Sequence, residues 1–317
     1  MSTRLHIVGG KGGDPFAFHG LNNGATLKKI GVAVGGWQIH AVRAELTDGR
    51  VKTFGRANTF SEFTFLPGER IDKLSLWGNG AGSRLGGIRL WTSFGREFFE
   101  HMNGWPMKTE YSMDVGSGVC LGLEGRHGHD IDSMGFLFIS PIKSSVLTNL
   151  TYSGLAMYKP QVTKEYIKSV AYRNNTTETQ EQKCTYSRSV TKKTTWSTTN
   201  KIESTVSMTV SAGIPKLVEV SGGFSLTVGA EHSNSVSHQE TITESDEVSV
   251  KVPAGKTVNV ELSVGRANID LQYSALVCIT TMDGHTLNLP STGSYTGVAY
   301  TTVDISTTES GTVMNAE

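Results

Sequence analysis

Apolar and small polar side chains alternate with period two through much of this chain, most regularly between Ile202 and Glu231. Val206, Met208, Val210, Ala212 and Ile214 alternate with Thr205, Ser207, Thr209, Ser211 and Gly213. Beyond Pro215-Lys216-Leu217, Val218, Val220, Gly222, Phe224, Leu226 and Val228 alternate with Glu219, Ser221, Gly223, Ser225, Thr227 and Gly229. Successive side chains of a strand point to opposite faces, so the pattern predicts two strands, each with one apolar and one hydroxyl-rich face. Pro presets φ for a turn and donates nothing to a ladder, which places the turn at Pro215-Lys216-Leu217. Each arm has roughly 9–11 residues, the length that crosses a bilayer as a tilted barrel strand. Lys216 and Glu219 are the only charges between Ser204 and Ala230. A single hairpin in lipid would leave its edges unpaired, whereas many copies closed into a ring satisfy every backbone group around a wet lumen. A plain hairpin in a β-sandwich shows the same alternation, so the pattern alone leaves both readings open.

The same reading along the rest of the chain predicts strands almost everywhere. In the first half, short runs at Lys29–Val34, Ile39–Leu46, Val51–Phe54, Lys73–Leu76, Ile88–Trp91, Val119–Leu123 and Met134–Ile139 are separated by Gly, Asn and Asp. Thr47-Asp48-Gly49-Arg50 is a hairpin turn of Asp-Gly type. Regular short strands with few helix signals mean a sandwich, barrel or prism. From Tyr172 to Val250 the chain turns Ser- and Thr-rich, but the period-two pattern persists and proline is nearly absent, which excludes a disordered stalk. Thr163–Tyr172, Cys184–Ile202 and Ser235–Val252 read as long extended segments, and Pro253-Ala254-Gly255-Lys256 as a turn. Alternation resumes at Val258, Val260, Leu262 and Val264, and again from Ile269 to Ile279.

Composition narrows the function classes. The 317 residues suffice for two domains, and 29 Lys plus Arg balance 29 Asp plus Glu, so no net field recruits nucleic acid or anionic lipid. No 18-residue apolar run encodes a transmembrane helix, and the N-terminus is not a signal peptide. The expectation is a chain that is intracellular before release, leaves by another route, or is a mature form, and that acts at target membranes. Cys120, Cys184 and Cys278 have neither disulfide-framework nor metal spacing, and Cys120 in Val-Cys-Leu-Gly-Leu reads as a buried small hydrophobe. Asn149, Asn174 and Asn175 fit the glycosylation pattern. His127 and His129 stand at i, i+2 beside glycines, a poor metal site, and Gly78–Gly82 lacks the ending of a phosphate loop. No nucleophile elbow or other catalytic motif is present, so no cofactor, no metal and no enzyme activity are expected.

Two glycine clusters carry candidate chemistry: Gly9-Gly10-Lys11-Gly12-Gly13-Asp14, and Gly125 to Gly135. A glycine loop lets backbone N–H groups approach a ligand closely. A fixed carboxylate beside it accepts the protons of adjacent sugar hydroxyls in charge-assisted bonds. With Phe16-Ala-Phe-His-Gly-Leu and Leu74-Ser-Leu-Trp-Gly-Asn-Gly, these clusters give residues 1–145 a resemblance to the jacalin-related lectin domain. The resemblance implies a β-prism of three four-stranded sheets and a Gly-x-x-x-Asp sugar loop at Gly128-His129-Asp130-Ile131-Asp132. It implies that Asp132 is the carboxylate, that His129 and Asp130 offer backbone N–H groups, and that Gly12 and Gly13 close the other side. Asn79 and Gly80 fall in the family's third loop. Mannose-type glycans, including high-mannose cell-surface glycans, are the implied ligands. Residues 129 and 130 are polar where some relatives place aromatics.

Residues 150–317 resemble the aerolysin family of β-pore-forming proteins, in its natterin-like group. The residues concerned are Thr195-Trp196-Ser-Thr-Thr, Ala212-Gly-Ile-Pro215, Ser221-Gly-Gly-Phe-Ser225, Val250 to Lys256 and Gly297-Val-Ala-Tyr300. The implied fold class is all-β: an N-terminal jacalin-like β-prism, then an elongated aerolysin-type β-domain with a stem hairpin at about 202–231. The implied activity is that of a toxin or innate-immune effector, a homo-oligomer that inserts a β-barrel into membrane lipid. The lipid-facing set is then Val206, Met208, Val210, Ala212, Ile214, Val218, Val220, Phe224, Leu226 and Val228, with Glu219 in the lumen. Cys184–Ile202 and Ser235–Val250 would form the solvated upper wall. His232 and His238 flank the stem and could gain charge near pH 6. A non-lytic lectin whose β-domain serves as an oligomerisation module shares every lectin residue and is the competing reading.

Overall fold

Most of the alternating stretches become strand. The computed structural model describes residues 1–311, so the end of the expected β-domain, residues 312–317, lies outside the described residues. The chain divides into two compact units. The first comprises Met1–Thr151, Ser197–Ser211 and Ser274–Gly293; the second comprises Tyr152–Trp196, Ala212–Tyr273 and the residues from Ser294 on.

In the first unit three antiparallel sheets enclose one core. One sheet runs in the order Thr3–Arg4, Ile131–Ile139, Cys120–His127, Asp14–His19, with Val8–Gly9 also paired to Ile131–Ile139. The second runs Glu97–His101, Leu85–Thr92, Ile71–Gly78, Glu110–Ser112, and the third Val51–Gly55, Ile39–Leu46, Leu27–Val34, Ser61–Thr64. This is the β-prism that the glycine-punctuated short strands imply. Its interior is filled by branched and aromatic side chains from all three sheets, among them Ile30, Ile39, Phe54, Leu76, Ile88, Leu123 and Phe136. Cys120 lies in this core, where burial pushes its thiol up to about 12, so it packs as a small hydrophobe.

A second sheet system follows the order Gly223–Ser235, Thr209–Val220, Ile142–Tyr152, Lys256–Thr281, Thr286–Tyr300, Gln180–Thr198, Ser237–Val252. Thr163–Arg173 and Asp304–Gly311 pair with Lys256–Thr281, the 26-residue strand into which the separate alternating runs at 258–264 and 269–279 merge. Gln180–Thr198 and Ser237–Val252 pair in register from Gln180↔Val252 to Thr195↔Ser237, with a ladder of hydroxyl pairs and the Arg188–Glu244 ion pair between them. Asn174 is buried, its Nδ2 donating to the carbonyls of Glu178 and Val252 at 2.7 and 2.8 Å, so this glycosylation-pattern residue braces a turn; Asn175 is exposed.

The hairpin differs from the sequence reading in three respects. Its strands are Thr209–Val220 and Gly223–Ser235, and Ile202–Ser204 is a short 3-10 turn, so Val206 and Met208 precede the strand and are buried. The turn lies at Ser221-Gly222, not at Pro215-Lys216-Leu217. Gly222 and Gly223 take φ of +92° and +149°, conformations open to glycine alone at little cost, so the tight turn forms there. Pro215 is tolerated inside the strand because the ladder to Ile142–Tyr152 joins Val146↔Thr209 and Leu147↔Val210, well short of it, so no N–H is required of Pro215 on that side. Third, the buried positions do not stay on one parity. Val210 and Ala212 are buried, then Gly213 and Pro215, while Lys216 is exposed. Ile214 and Phe224 are half-buried, Leu226 is buried, and Val218, Val220 and Val228 are exposed.

A buried hydrogen-bond chain fastens the hairpin within the second unit. Trp196 Nε1 donates to the Tyr152 hydroxyl at 3.1 Å, and that hydroxyl donates to the carbonyl of Gly213 at 2.9 Å. Tyr295 packs against both rings, with centroids 5.5 Å from Tyr152 and 5.3 Å from Trp196. Burial pushes the Tyr152 hydroxyl up to about 12, so it stays a neutral donor across the physiological range. In Tyr152→Phe both partners lose their bond; the expected cost is about 1–3 kcal/mol for each buried group left unpaired, read as a lower denaturant midpoint. An unchanged midpoint would contradict this role.

Candidate carbohydrate-binding site

The strand connections bring five loops to one end of the prism. The hairpin turn at 128–130 follows Cys120–His127, whose His127 is opposite Asp14 and therefore beside the loop 10–13. The turn at 35–38 lies next to Val34↔Ile39, the loop 79–84 next to Gly78↔Leu85, and the loop 102–109 follows His101, opposite Gly87.

Asp132 is the centre of this end. It is 2% exposed; its carbonyl accepts the Gly10 N–H at 2.7 Å and its Oδ1 accepts from Arg84 Nη1 at 2.7 Å. Gly12 and Gly13 fit around the carboxylate. A Cβ at Gly12 would stand 2.5 Å from Asp132 Oδ1, and one at Gly13 2.5 Å from Oδ2. Gly13 also has φ of +63°, and Arg126 grips the loop by donating to the carbonyls of Gly12 and Gly13 at 2.9 and 2.7 Å. Gly12, Gly13 and Asp132, named from the sequence, thus converge.

The other expected residues form the opposite wall. The Gly128 N–H donates to the Asp130 carbonyl at 3.0 Å, and the exposed His129 accepts the Arg56 N–H on its carbonyl at 2.9 Å. The Asp130 carboxylate is engaged by His40 Nδ1 at 2.6 Å and by the Gln38 side chain, with Arg84 Nε 3.7 Å away. Burial pushes this carboxyl up, but the bonds from His40 and Gln38 outweigh it and hold it below the usual carboxylate range. Asn79 organises its own loop: Oδ1 accepts the N–H groups of Ala81, Ser83 and Arg84 at 3.3 Å. Gly80, at φ +80°, packs against Lys108. His127 stands edge-on to Phe16 and Phe54 and accepts the Gly55 N–H at 3.2 Å, a structural use of the histidine.

Sequence reasoning missed Arg84, Gln38, His40 and Arg126. All four act on residues 48 to 114 positions away, a separation that no local motif records. Arg84 changes the chemistry most. It orients Asp132, satisfies part of one oxygen, and places further guanidinium N–H donors beside an acceptor, so the pair can both donate to and accept from a polyol.

The jacalin-like lectin domain profile matches residues 5–137. A crystal structure of the lamprey immune protein is similar over nearly the whole chain, with 51% identity, a TM-score of 0.92, and coverage of 98% of this chain and 99% of that one. The chain belongs to the lamprey immune protein family. It is all-β, a jacalin-like prism with further sheets, and its lectin domain makes it a carbohydrate-binding protein. Two plant lectins are also similar over less than half of this chain. Wild-type Malaysian banana lectin has 23% identity, a TM-score of 0.35, and coverage of 43% of this chain and 96% of its own. A mannose-binding jacalin-related lectin from Ananas comosus has 20% identity, a TM-score of 0.35, and coverage of 44% and 99%. No curated protein matches the chain.

Gly13→Ala is expected to abolish glycan binding on arrays while the prism core survives, because the methyl group collides with Asp132 Oδ2 and the His127 backbone. Retained binding would contradict the packing of this loop. A pH dependence follows from Asp130. Its folded pKa lies below the unfolded value, so the brace is fully present above about pH 4 and is lost as pH falls through the lower folded value. Hydrogen exchange at the Gly128 amide, corrected for intrinsic rate, is expected to speed up only below about pH 4. Acceleration already at pH 6 would contradict it.

Proposed function

We propose that this chain is a lectin-targeted β-pore-forming protein. The carrying observation is the way the hairpin Thr209–Ser235 is held. Its second arm, Gly223–Ser235, stands first in the sheet order, and its first arm pairs with Ile142–Tyr152 at Thr209 and Val210. The Tyr152 bond to Gly213 comes next, and beyond it Val218, Val220 and Val228 are exposed. A hairpin whose far half exposes Val218, Val220 and Val228 has less to unpack when it swings away than a fully buried one, with Val210, Ala212, Pro215 and Leu226 the packing it gives up. Beneath it lies a groove of about 740 Å³, lined by Ile214, Pro215 and Leu217 on one side and by Arg188, Lys192, His238 and Glu244 on another.

In this reading Asp132, oriented by Arg84, accepts hydroxyl protons of a cell-surface glycan of the high-mannose type, and backbone N–H groups of His129 and Asp130 donate. Capture concentrates protomers on the target membrane, where they assemble into a homo-oligomeric ring. The hairpin then inserts. In the ring the arms pair about Pro215-Lys216-Leu217 instead of Ser221-Gly222, which brings Val210, Ala212, Ile214, Val218, Val220, Phe224, Leu226 and Val228 to a single face turned to lipid, each large side chain contributing roughly 1–3 kcal/mol on burial. Lys216, at the turn of the inserted hairpin, belongs to the aqueous rim, and Glu219 to the lumen. The paired strands Gln180–Thr198 and Ser237–Val252, rich in hydroxyls on their surface, suit a solvated upper wall. The role is binding and assembly, without catalysis.

Val210→Arg places a guanidinium at lipid depth, at about 2–4 kcal/mol per protomer near the midplane. It is expected to bind glycan-bearing cells normally and to release no dye; normal release would exclude this hairpin as the stem. Glu219→Gln removes one carboxylate per protomer from the lumen, and planar-bilayer reversal potentials should lose their cation preference. An unchanged potential would remove Glu219 from the lumen.

A further inference from the structure

Trp37 and Trp105 stand on two loops of the sugar-binding end, 67% and 48% exposed, and stack on each other with centroids 5.9 Å apart and planes 16° apart. Large indoles exposed side by side cost solvation unless something covers them. Their mounting is rigid. The Gly104 N–H donates to the Gly36 carbonyl at 2.8 Å and the Asn103 N–H to the Gly35 carbonyl at 3.2 Å, while the Gly35 N–H closes its own turn on the Gln38 carbonyl at 2.8 Å. A Cβ at Gly104 would fall 3.0 Å from the Gly36 carbonyl oxygen, so the close approach of the two loops uses a glycine. The same turn is joined to the sugar loop, since Gln38 and His40, one and three residues past Trp37, both bond the Asp130 carboxylate.

We propose that the Trp37–Trp105 stack is a second subsite for an extended glycan, taking the apolar C–H face of a ring next to the one bound at Asp132. The assignment rests on the carbohydrate reading of Asp132 and deepens it. A pyranose presents axial C–H bonds on one face and hydroxyls around its rim, so a flat indole takes the face while hydroxyls remain in water. Residues 129 and 130 offer no phenyl or indole ring, and the Trp pair supplies that contact from neighbouring loops. A monosaccharide at Asp132 fills the first position alone; selectivity for longer or branched glycans comes from the indoles. The rigid backbone mounting favours this occupant over a lipid surface, because stacking on a ring needs a fixed plane and partitioning into an interface does not.

The test compares the full chain, Asp132→Ala, and Trp37→Ala/Trp105→Ala for calorimetric binding of methyl α-mannoside and of a high-mannose N-glycan. The Trp variant is expected to bind the monosaccharide as the wild type does, which also shows that it is folded, and to bind the N-glycan about 10- to 100-fold more weakly. Trp37→Phe/Trp105→Phe is expected to restore part of the loss. Equal N-glycan affinity in the wild type and the Trp→Ala variant, with binding lost in Asp132→Ala, overturns the subsite and leaves the Asp132 site standing. Undiminished binding by Asp132→Ala overturns the Asp132 site itself. A wild-type chain that binds neither sugar refutes the mannose reading, and with it the subsite as stated. If the Trp→Ala variant keeps its N-glycan affinity but loses binding to glycan-free phosphatidylcholine vesicles, the stack is a lipid contact and the proposal falls.

Discussion

The carbonyl of Gly213 is where the architecture of the second unit meets the proposed movement. A buried backbone acceptor needs a partner, and here the partner is the Tyr152 hydroxyl, itself held by the Trp196 indole N–H. Everything on the root side of that bond is packed: Val210 and Ala212 are buried, and the aromatic trio Tyr152, Trp196 and Tyr295 is almost wholly enclosed. On the far side the hairpin has two glycines at its turn and three exposed valines. This bond, at about 1 kcal/mol net, adds to the ladder at Thr209 and Val210 and to the packing of Val210, Ala212, Pro215 and Leu226, and the proposed assembly step has to displace them together.

The lectin end obeys a different constraint. A carboxylate cannot be buried alone, so Asp132 is paired with Arg84 and ringed by loops that lack side chains where it stands. Asp130, in the same turn, is fully occupied by His40 and Gln38 and acts as a brace. One acidic residue is thereby available for hydroxyl recognition, and the other fixes the loop that carries it. The first unit carries this braced cluster of loops, and the second a hairpin whose far half exposes Val218, Val220 and Val228.

Much of this was legible in the sequence where the signal is local. Ile39–Leu46 is legible to the residue, because alternation from Val42 to Leu46 marks its pattern and the Asp48-Gly49 turn its end. The convergence of Gly12, Gly13 and Asp132 is what the resemblance to jacalin-related lectins implies, and the lack of room for a Cβ beside the carboxylate is its steric reason. The hairpin turn was misplaced because Pro215 is a strong turn residue in isolation; its position beyond the ladder to Ile142–Tyr152 removes the penalty that would otherwise exclude it, and Gly222-Gly223 supplies the positive φ that the turn requires. Arg84, His40, Gln38 and the stacked tryptophans were invisible because each acts across sheets. Their roles depend on which loops the prism brings to one end, and only three-dimensional pairing decides that.

The central claim is that glycan capture leads to membrane perforation by the hairpin. The most direct measurement is dye release from liposomes displaying high-mannose glycans, beside bare liposomes of the same lipid, at neutral and mildly acidic pH. The account predicts release that depends on the displayed glycan and disappears when the free glycan competes. Tight binding to the glycan-bearing liposomes with no release at either pH would contradict it, and would make the β-domain the oligomerisation module of a non-lytic lectin.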